Sequence, residues 1–220
     1  MSLLKIIGIL THPARWINEK TLVVRSRFQG VKFNQIETDS SVIKKSGITF
    51  AGKENAVRLH KVELFNTTVF IRGRGHKLIV GENVKLYNLH IKIIGNRNVV
   101  HIGTGTSFGG GCIVCGGNDN SVTIGENCVF AEGVDIWGTD THSIFQGGQL
   151  VNVPKSISIG NHVWAGKDVA ILKGVSVGDG AVIGMRSIVT RDIPANTLSV
   201  GNPAQPIKDQ VDWSIKNPNN

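Results

Sequence analysis

Six hexads run without interruption from Ile159 to Pro194. They read Ile159-Gly-Asn-His-Val-Trp164, Ala165-Gly-Lys-Asp-Val-Ala170, Ile171-Leu-Lys-Gly-Val-Ser176, Val177-Gly-Asp-Gly-Ala-Val182, Ile183-Gly-Met-Arg-Ser-Ile188 and Val189-Thr-Arg-Asp-Ile-Pro194. The first position is always aliphatic. The fifth is small or β-branched throughout: Val163, Val169, Val175, Ala181, Ser187, Ile193. A strict period of six fits neither the helical nor the two-residue period, but it fits a chain that lays down a short strand, turns and repeats. Position five and the next position one are two residues apart and share one face of a strand, while the residue between them faces the other way. Positions two to four are rich in Gly, Asn and Asp, which tolerate the backbone angles of a tight corner. Three hexads close a triangular coil of eighteen residues, and stacked coils pair in parallel at a rise of roughly 4.8 Å. The spacing predicts an all-β chain folded as a parallel β-helix.

The repeat continues upstream in altered form. Gly52-Lys-Glu-Asn-Ala-Val-Arg-Leu59, Gly73-Arg-Gly-His-Lys-Leu-Ile-Val80, Gly95-Asn-Arg-Asn-Val-Val-His-Ile102 and Gly117-Asn-Asp-Asn-Ser-Val-Thr-Ile124 recur at spacings of 21, 22 and 22. A period of 22 is an eighteen-residue coil with four residues added at one corner, as the eight-residue step from Val114 to Val122 illustrates. On this reading six to seven coils occupy residues 42–204. Residues 1–41 form an N-terminal appendage, and 205–220 a C-terminal tail or short helix. The apolar run Leu3 to Leu10 is too short to span a bilayer, and no small-residue cleavage site follows it. It is read as a helix packing on the β-helix, with a weak membrane-surface contact as the alternative. A cytoplasmic location is expected.

The formal net charge is +8, which suits a polyanionic partner or simply a basic surface. No Lys/Arg run is interleaved with aromatics, so nucleic acid is not expected. Cys112 and Cys115 form a C-x-x-C, which invites a metal or redox reading. The hexad register instead puts Cys112 and Cys128 at position five and Cys115 at a corner, as structural thiols. No metal is expected.

The places where a strong repeat fails are where function is sought. In Ile136-Trp-Gly-Thr-Asp-Thr141 the fifth position is Asp140, and the next first position is His142. The hexads resume only at Ile159, so an excursion loop runs over 142–158. An imidazole at its mouth suits a general base, because its pKa lies near neutral. Asp140 can orient the ring or stabilise its charged form. A solvated loop histidine is the alternative. The second anomaly is Trp164. Val163 and Ala165 face inward, so its indole faces out, where a ligand or a neighbouring subunit must cover it. Its N–H can donate to a reacting oxygen.

These motifs resemble the hexapeptide-repeat acyltransferases, most closely the polysaccharide O-acetyltransferases, over about Ile124 to Lys208. The strongest pieces are Thr139-Asp-Thr-His-Ser-Ile144, Ile159-Gly-Asn-His-Val-Trp164, Ile171-Leu-Lys-Gly-Val175, Ile188-Val-Thr-Arg-Asp-Ile-Pro194 and Gly201-Asn-Pro-Ala204. The resemblance implies a left-handed helix, the hand that breaks the usual crossover preference. It implies a homotrimer with active sites between subunits and acetyl-CoA in the groove between adjacent prisms. It implies His142 as catalytic base and Trp164 beside the thioester. It places CoA contacts at Gly166 and Lys167, at Met185 or Arg186, at Thr190 and Arg191, and at Lys208. Ala165 stands where a larger aliphatic is usual, and Met185-Arg186 replaces a small pair. Both departures are expected to reshape the CoA groove. The asparagine that holds sugar in the galactoside acetyltransferases falls near Gly109. The β-helical zinc hydratases need histidines five residues apart, and His12, His60, His76, His90, His101, His142 and His162 contain no such pair.

The expected function is acetyl-CoA-dependent O-acetylation of a sugar hydroxyl in a bacterial-type surface polysaccharide. The acceptor is weakly favoured to be acidic. Acetylation of a small acceptor (a free sugar, a nucleotide sugar or an antibiotic) is the alternative, followed by a non-catalytic β-helix scaffold.

Overall fold

The computed structural model describes residues 20–216. The apolar run Leu3–Leu10 lies outside them. The chain winds through three parallel sheets in rotation. Strands β1 (Leu22–Val24), β4 (Val42–Lys44), β7 (Glu63–Phe65), β10 (Lys85–Tyr87), β13 (Ser107–Phe108), β16 (Val129–Phe130), β21 (Trp164–Ala165), β24 (Val182–Ile183) and β26 (Leu198–Gly201) stack in that order on the first sheet. The second sheet stacks β2 (Arg27–Gln29), β5 (Gly47–Lys53), β8 (Thr68–Arg74), β11 (Leu89–Asn96), β14 (Gly111–Asn118), β17 (Val134–Trp137), β22 (Ala170–Leu172) and β25 (Ile188–Val189). The third stacks β3 (Gln35–Asp39), β6 (Ala56–His60), β9 (Lys77–Val80), β12 (Val99–Ile102), β15 (Ser121–Ile124), β20 (Ile157–Ile159) and β23 (Ser176–Val177). The result is a three-sided β-helix.

It has eight turns rather than six to seven, because coils of 20 and 21 residues precede the 22-residue ones. Leu22 pairs with Val42, and Val42 with Glu63. Residues 22–39 therefore belong to the first coil, not to an appendage. At the other end β27 (Ala204–Lys208) returns antiparallel against β26. The described residues beyond it form an extended strap rather than a helix.

The inward rows form the core. Ile48, Val69, Ile91, Ile113, Ile136, Ile171 and Val189 are all buried and stack coil upon coil. Phe108 stacks on Phe130 at 4.3 Å, and the next residue in that row is Ala165. The small side chain sits directly above two stacked rings and is fully buried. Ala165 is thus a core accommodation, and the expectation that it reshapes an outer groove does not hold.

The added corner residues extend β5, β8, β11 and β14 past the corner. Gly52, Gly73, Gly95 and Gly117 lie in register there. A Cβ on Gly95 would lie 1.8 Å from the Gly117 carbonyl oxygen, so only glycine permits this approach. Behind the glycines runs a ladder of buried side chains: Asn34, Asn55, His76, Asn98 and Asn120. The Asn55 N–H donates to Asn34 Oδ1 (3.0 Å), and the Asn98 and Asn120 N–H groups donate likewise to His76 Nδ1 (3.1 Å) and Asn98 Oδ1 (2.9 Å). These side chains satisfy backbone groups that the corner leaves unpaired.

Cys112 and Cys115 depart from their expected slots, while Cys128 is buried as a fifth-position residue should be. The step from Phe108 to Ile113 is one residue shorter than that from Phe130 to Ile136, although both pairs face inward. This slip moves Cys112 to the outward face, in register with His90 and Asp135. It also moves Cys115 off the corner and into the core, where burial pushes its thiol up to about 12.

Candidate active site

The excursion leaves β17 at Trp137 and rejoins the third sheet at Ile157. It carries a two-stranded hairpin, β18 (Phe145–Gln146) and β19 (Gln149–Leu150), turned by Gly147 and Gly148. At its mouth Thr141 adopts a positive φ of 62°, an outlier for a β-branched residue and a strained position next to the candidate base. The His142 N–H donates to the Asp140 carbonyl (2.7 Å). Its Nδ1 lies 3.1 Å from Thr141 Oγ1. When Nδ1 carries the hydrogen and donates it to that hydroxyl, Nε2 is free to take a proton.

Asp140 does not bond the ring. Its carboxylate is held by the Lys173 ammonium and by Asn152 Nδ2 (2.8 Å). The Lys173 hydrogen bond holds the Asp140 carboxyl below its ordinary pKa. A fixed cation one coil away outcompetes an exposed imidazole for the carboxylate. Asn152 also donates to the His142 carbonyl (2.7 Å) and accepts from the Ile144 N–H (2.6 Å). Lys173 reaches the Asn152 carbonyl as well (3.1 Å). Asp140, Asn152 and Lys173 therefore form a clamp that fixes the loop carrying His142. Asn152 carried no signal in the repeat, since it lies inside the excursion. Lys173 stood at an ordinary corner position.

The remaining predicted residues fall elsewhere. Trp164 is 42% exposed between buried neighbours, in the row Val129, Trp164, Val182, Leu198, Lys208 on the first sheet. Gly166 and Lys167 follow at the corner between the first and second sheets, with Met185 and Arg186 one coil above. A Cβ on Gly166 would lie 2.7 Å from the Met185 nitrogen. Lys167 pairs with Glu132 (3.0 Å) and Arg186 with Asp168 (3.8 Å). Met185 is 61% exposed. Thr190 and Arg191 follow β25 at the same corner as Lys173 and the excursion. Within one chain the candidates thus form two groups on different edges: Asp140, His142, Thr190 and Arg191 on one, Trp164, Gly166, Lys167, Met185, Arg186 and Lys208 around the other.

Part of the cover over Trp164 comes from its own chain. Trp213, in the C-terminal strap, lies 6.1 Å from it, tilted by 42°. No group of three or more His, Cys, Asp or Glu among the described residues is placed to hold a metal. No helix among them is long and apolar enough to cross a membrane.

Comparison with known proteins agrees with the β-helical fold. The bacterial transferase hexapeptide (six repeats) model matches residues 156–191. The polySia-specific acetyltransferase NeuO superimposes with a TM-score of 0.66 at 31% identity, covering 90% of this chain and 88% of that one. The chain belongs to the hexapeptide-repeat acetyltransferases. The polysialic acid O-acetyltransferase OatWY shares the fold, with a TM-score of 0.61 at 22% identity over 89% of this chain and 90% of that one. The galactoside O-acetyltransferase of Escherichia coli K12 is 44% identical over 68 residues, 31% of this chain and 32% of that enzyme. The chain spans about a third or less of the length of the curated relatives it matches.

Proposed function

We propose that this hexapeptide-repeat protein transfers acetyl from acetyl-CoA to a hydroxyl of an acidic surface polysaccharide. The observation that carries the reading is the likeness to a polySia-specific acetyltransferase across nearly the whole of both chains. The net charge of +8 suits a polyanionic acceptor. Trp164 lines the groove for the acyl donor. Lys167, Arg186 and Lys208 lie around the same face and supply cations for the CoA phosphates.

The reaction is a direct transfer. His142 Nε2 takes the proton from the sugar hydroxyl as its oxygen attacks the thioester carbonyl. The oxyanion is met by backbone N–H groups or by the Trp164 indole N–H. The carbon–sulfur bond then breaks, and the departing thiolate takes the proton back from the imidazolium. Because the two groups of residues lie on different edges, His142 of one protomer works with Trp164 of another in a homotrimer.

Replacing His142 by Ala should lower turnover by roughly 10²–10⁴ while leaving the oligomer intact. Wild-type-like turnover in that variant would sink the assignment. The acceptor is identified by acetyl-CoA consumption across sialylated, uronic and neutral oligosaccharides. Preference for the neutral ones would remove the acidic acceptor from the reading.

A further inference from the structure

We propose that the C-terminal strap Val211 to Trp213 is part of the transfer site, with Trp213 the positioning residue for the Trp164 indole. The proposal rests on the reading of Trp164 as the aromatic beside the reacting centre. An indole standing out from a flat sheet face, flanked in its row only by Val129 and Val182, has little to fix its two side-chain torsions. The strap supplies what the sheet lacks.

Trp213 is itself held from several sides. Its ring stacks on His162 at 4.3 Å and 9°. Its Nε1–H donates to the His162 carbonyl at 2.7 Å. The Asp212 carboxylate accepts from the Trp213 N–H at 2.8 Å and lies 3.2 Å from His162 Nε2. The Trp213 carbonyl lies 3.1 Å from the same nitrogen. Both neighbours of that nitrogen are acceptors, so Nε2 carries a hydrogen and donates it. Further along the same edge, the Val211 N–H donates to the Asn196 carbonyl at 2.9 Å, tying the strap to the corner before β26.

His162 precedes Trp164 by two residues and turns the corner at a φ of 55°. Corner, imidazole, Trp213 and Trp164 thus follow one another in contact, with the imidazole stacked on Trp213 and Trp213 tilted against Trp164. With Trp213 tilted against it, Trp164 is still 42% exposed. None of this was visible in the repeat, because the strap lies about fifty residues downstream in a segment with no period.

The test uses the full chain with acetyl-CoA and polysialic acid. Trp213→Ala should lower kcat roughly three- to tenfold, the size of one aromatic pair, with KM for acetyl-CoA and the melting temperature unchanged. Trp213→Phe keeps the stack on His162 and should restore most of the rate. In a Trp164→Ala background, Trp213→Ala should cost nothing further. A full-sized effect in that background would show that Trp213 acts independently and overturn the proposal. So would wild-type kcat in Trp213→Ala.

A spectroscopic readout separates the contact from the chemistry. The two indoles should give an exciton couplet in far-ultraviolet circular dichroism that disappears in both Trp213→Phe and Trp164→Phe. Transfer by the wild-type protein without the couplet overturns the strap proposal alone. A couplet without transfer on any acceptor overturns the site reading beneath it.

Discussion

His76 occupies a slot that asparagine fills on the coils either side. Its N–H donates to Asn55 Oδ1 (2.9 Å), and its Nδ1 accepts from the Asn98 N–H (3.1 Å). Nε2 must then carry the hydrogen, which it donates to the Arg72 carbonyl (3.2 Å). The ring is fully buried and neutral, and burial lowers its pKa from the ordinary 6.5. A proton on Nδ1 would oppose the Asn98 N–H and break the ladder. The sign follows from linkage. Below about pH 6.5 the unfolded chain takes up a proton that the folded chain refuses, so stability falls with pH until the depressed folded pKa is passed. His76→Asn restores the ladder chemistry of its neighbours and removes this term. The melting temperatures of wild type and His76→Asn should differ little at pH 7.5. At pH 5 the variant should be the more stable, by up to about 1.4 kcal/mol per unit below 6.5. A parallel decline of both would show that His76 is not the acid-sensitive rung.

At the level of elements, the excursion is held to the coil by few groups, and Asn152 makes three of the bonds. Asn152→Ala loses those to Asp140, His142 and Ile144 together. Loosening the base by even an ångström should lower kcat roughly 10- to 100-fold, with the melting temperature nearly unchanged, since the loop is exposed and outside the core. Stopped turnover with an altered melt would point instead to a role in folding. Lys173→Met removes the cation from Asp140 and should give a smaller loss in the same direction. How much of these elements could be read in advance follows from where the period holds. From Ile159 to Pro194 the hexad gives every strand, because core width and corner geometry repeat without insertion. Upstream, Asn55, His76, Asn98 and Asn120 were visible as a column but not as buried rungs, since asparagine suits an exposed corner equally well. One residue missing between Phe108 and Ile113 was enough to turn Cys112 outward, because side chains alternate every residue. Asn152 and Trp213 sit where no period exists, so their contacts arise only from the three-dimensional path of the chain.

At the level of the whole molecule, two observations bear on the proposed trimer. The excursion exposes Ile144, Phe145, Leu150, Val151 and Val153, each between 46% and 64%, a density of apolar surface that a lone protomer rarely leaves in water. The candidate catalytic residues are also divided between two edges of the prism. If a site is made of His142 from one protomer and Trp164 from another, two impaired variants can rescue each other. His142→Ala and Trp164→Ala chains, unfolded together and refolded as a mixture, should regain about a quarter of wild-type activity. With equal amounts and random assembly, that is the fraction of interfaces receiving both intact residues. Each variant refolded alone should keep only its low residual rate, and light scattering should give a trimer in every case. No recovery in mixed trimers would mean that each site is built within one chain, and the division of His142 from Trp164 would then need a different explanation. Placing Asp at Phe145 and Leu150 should weaken the trimer and the recovered activity together, because the same contacts would hold the donor edge of one protomer against the base of the next.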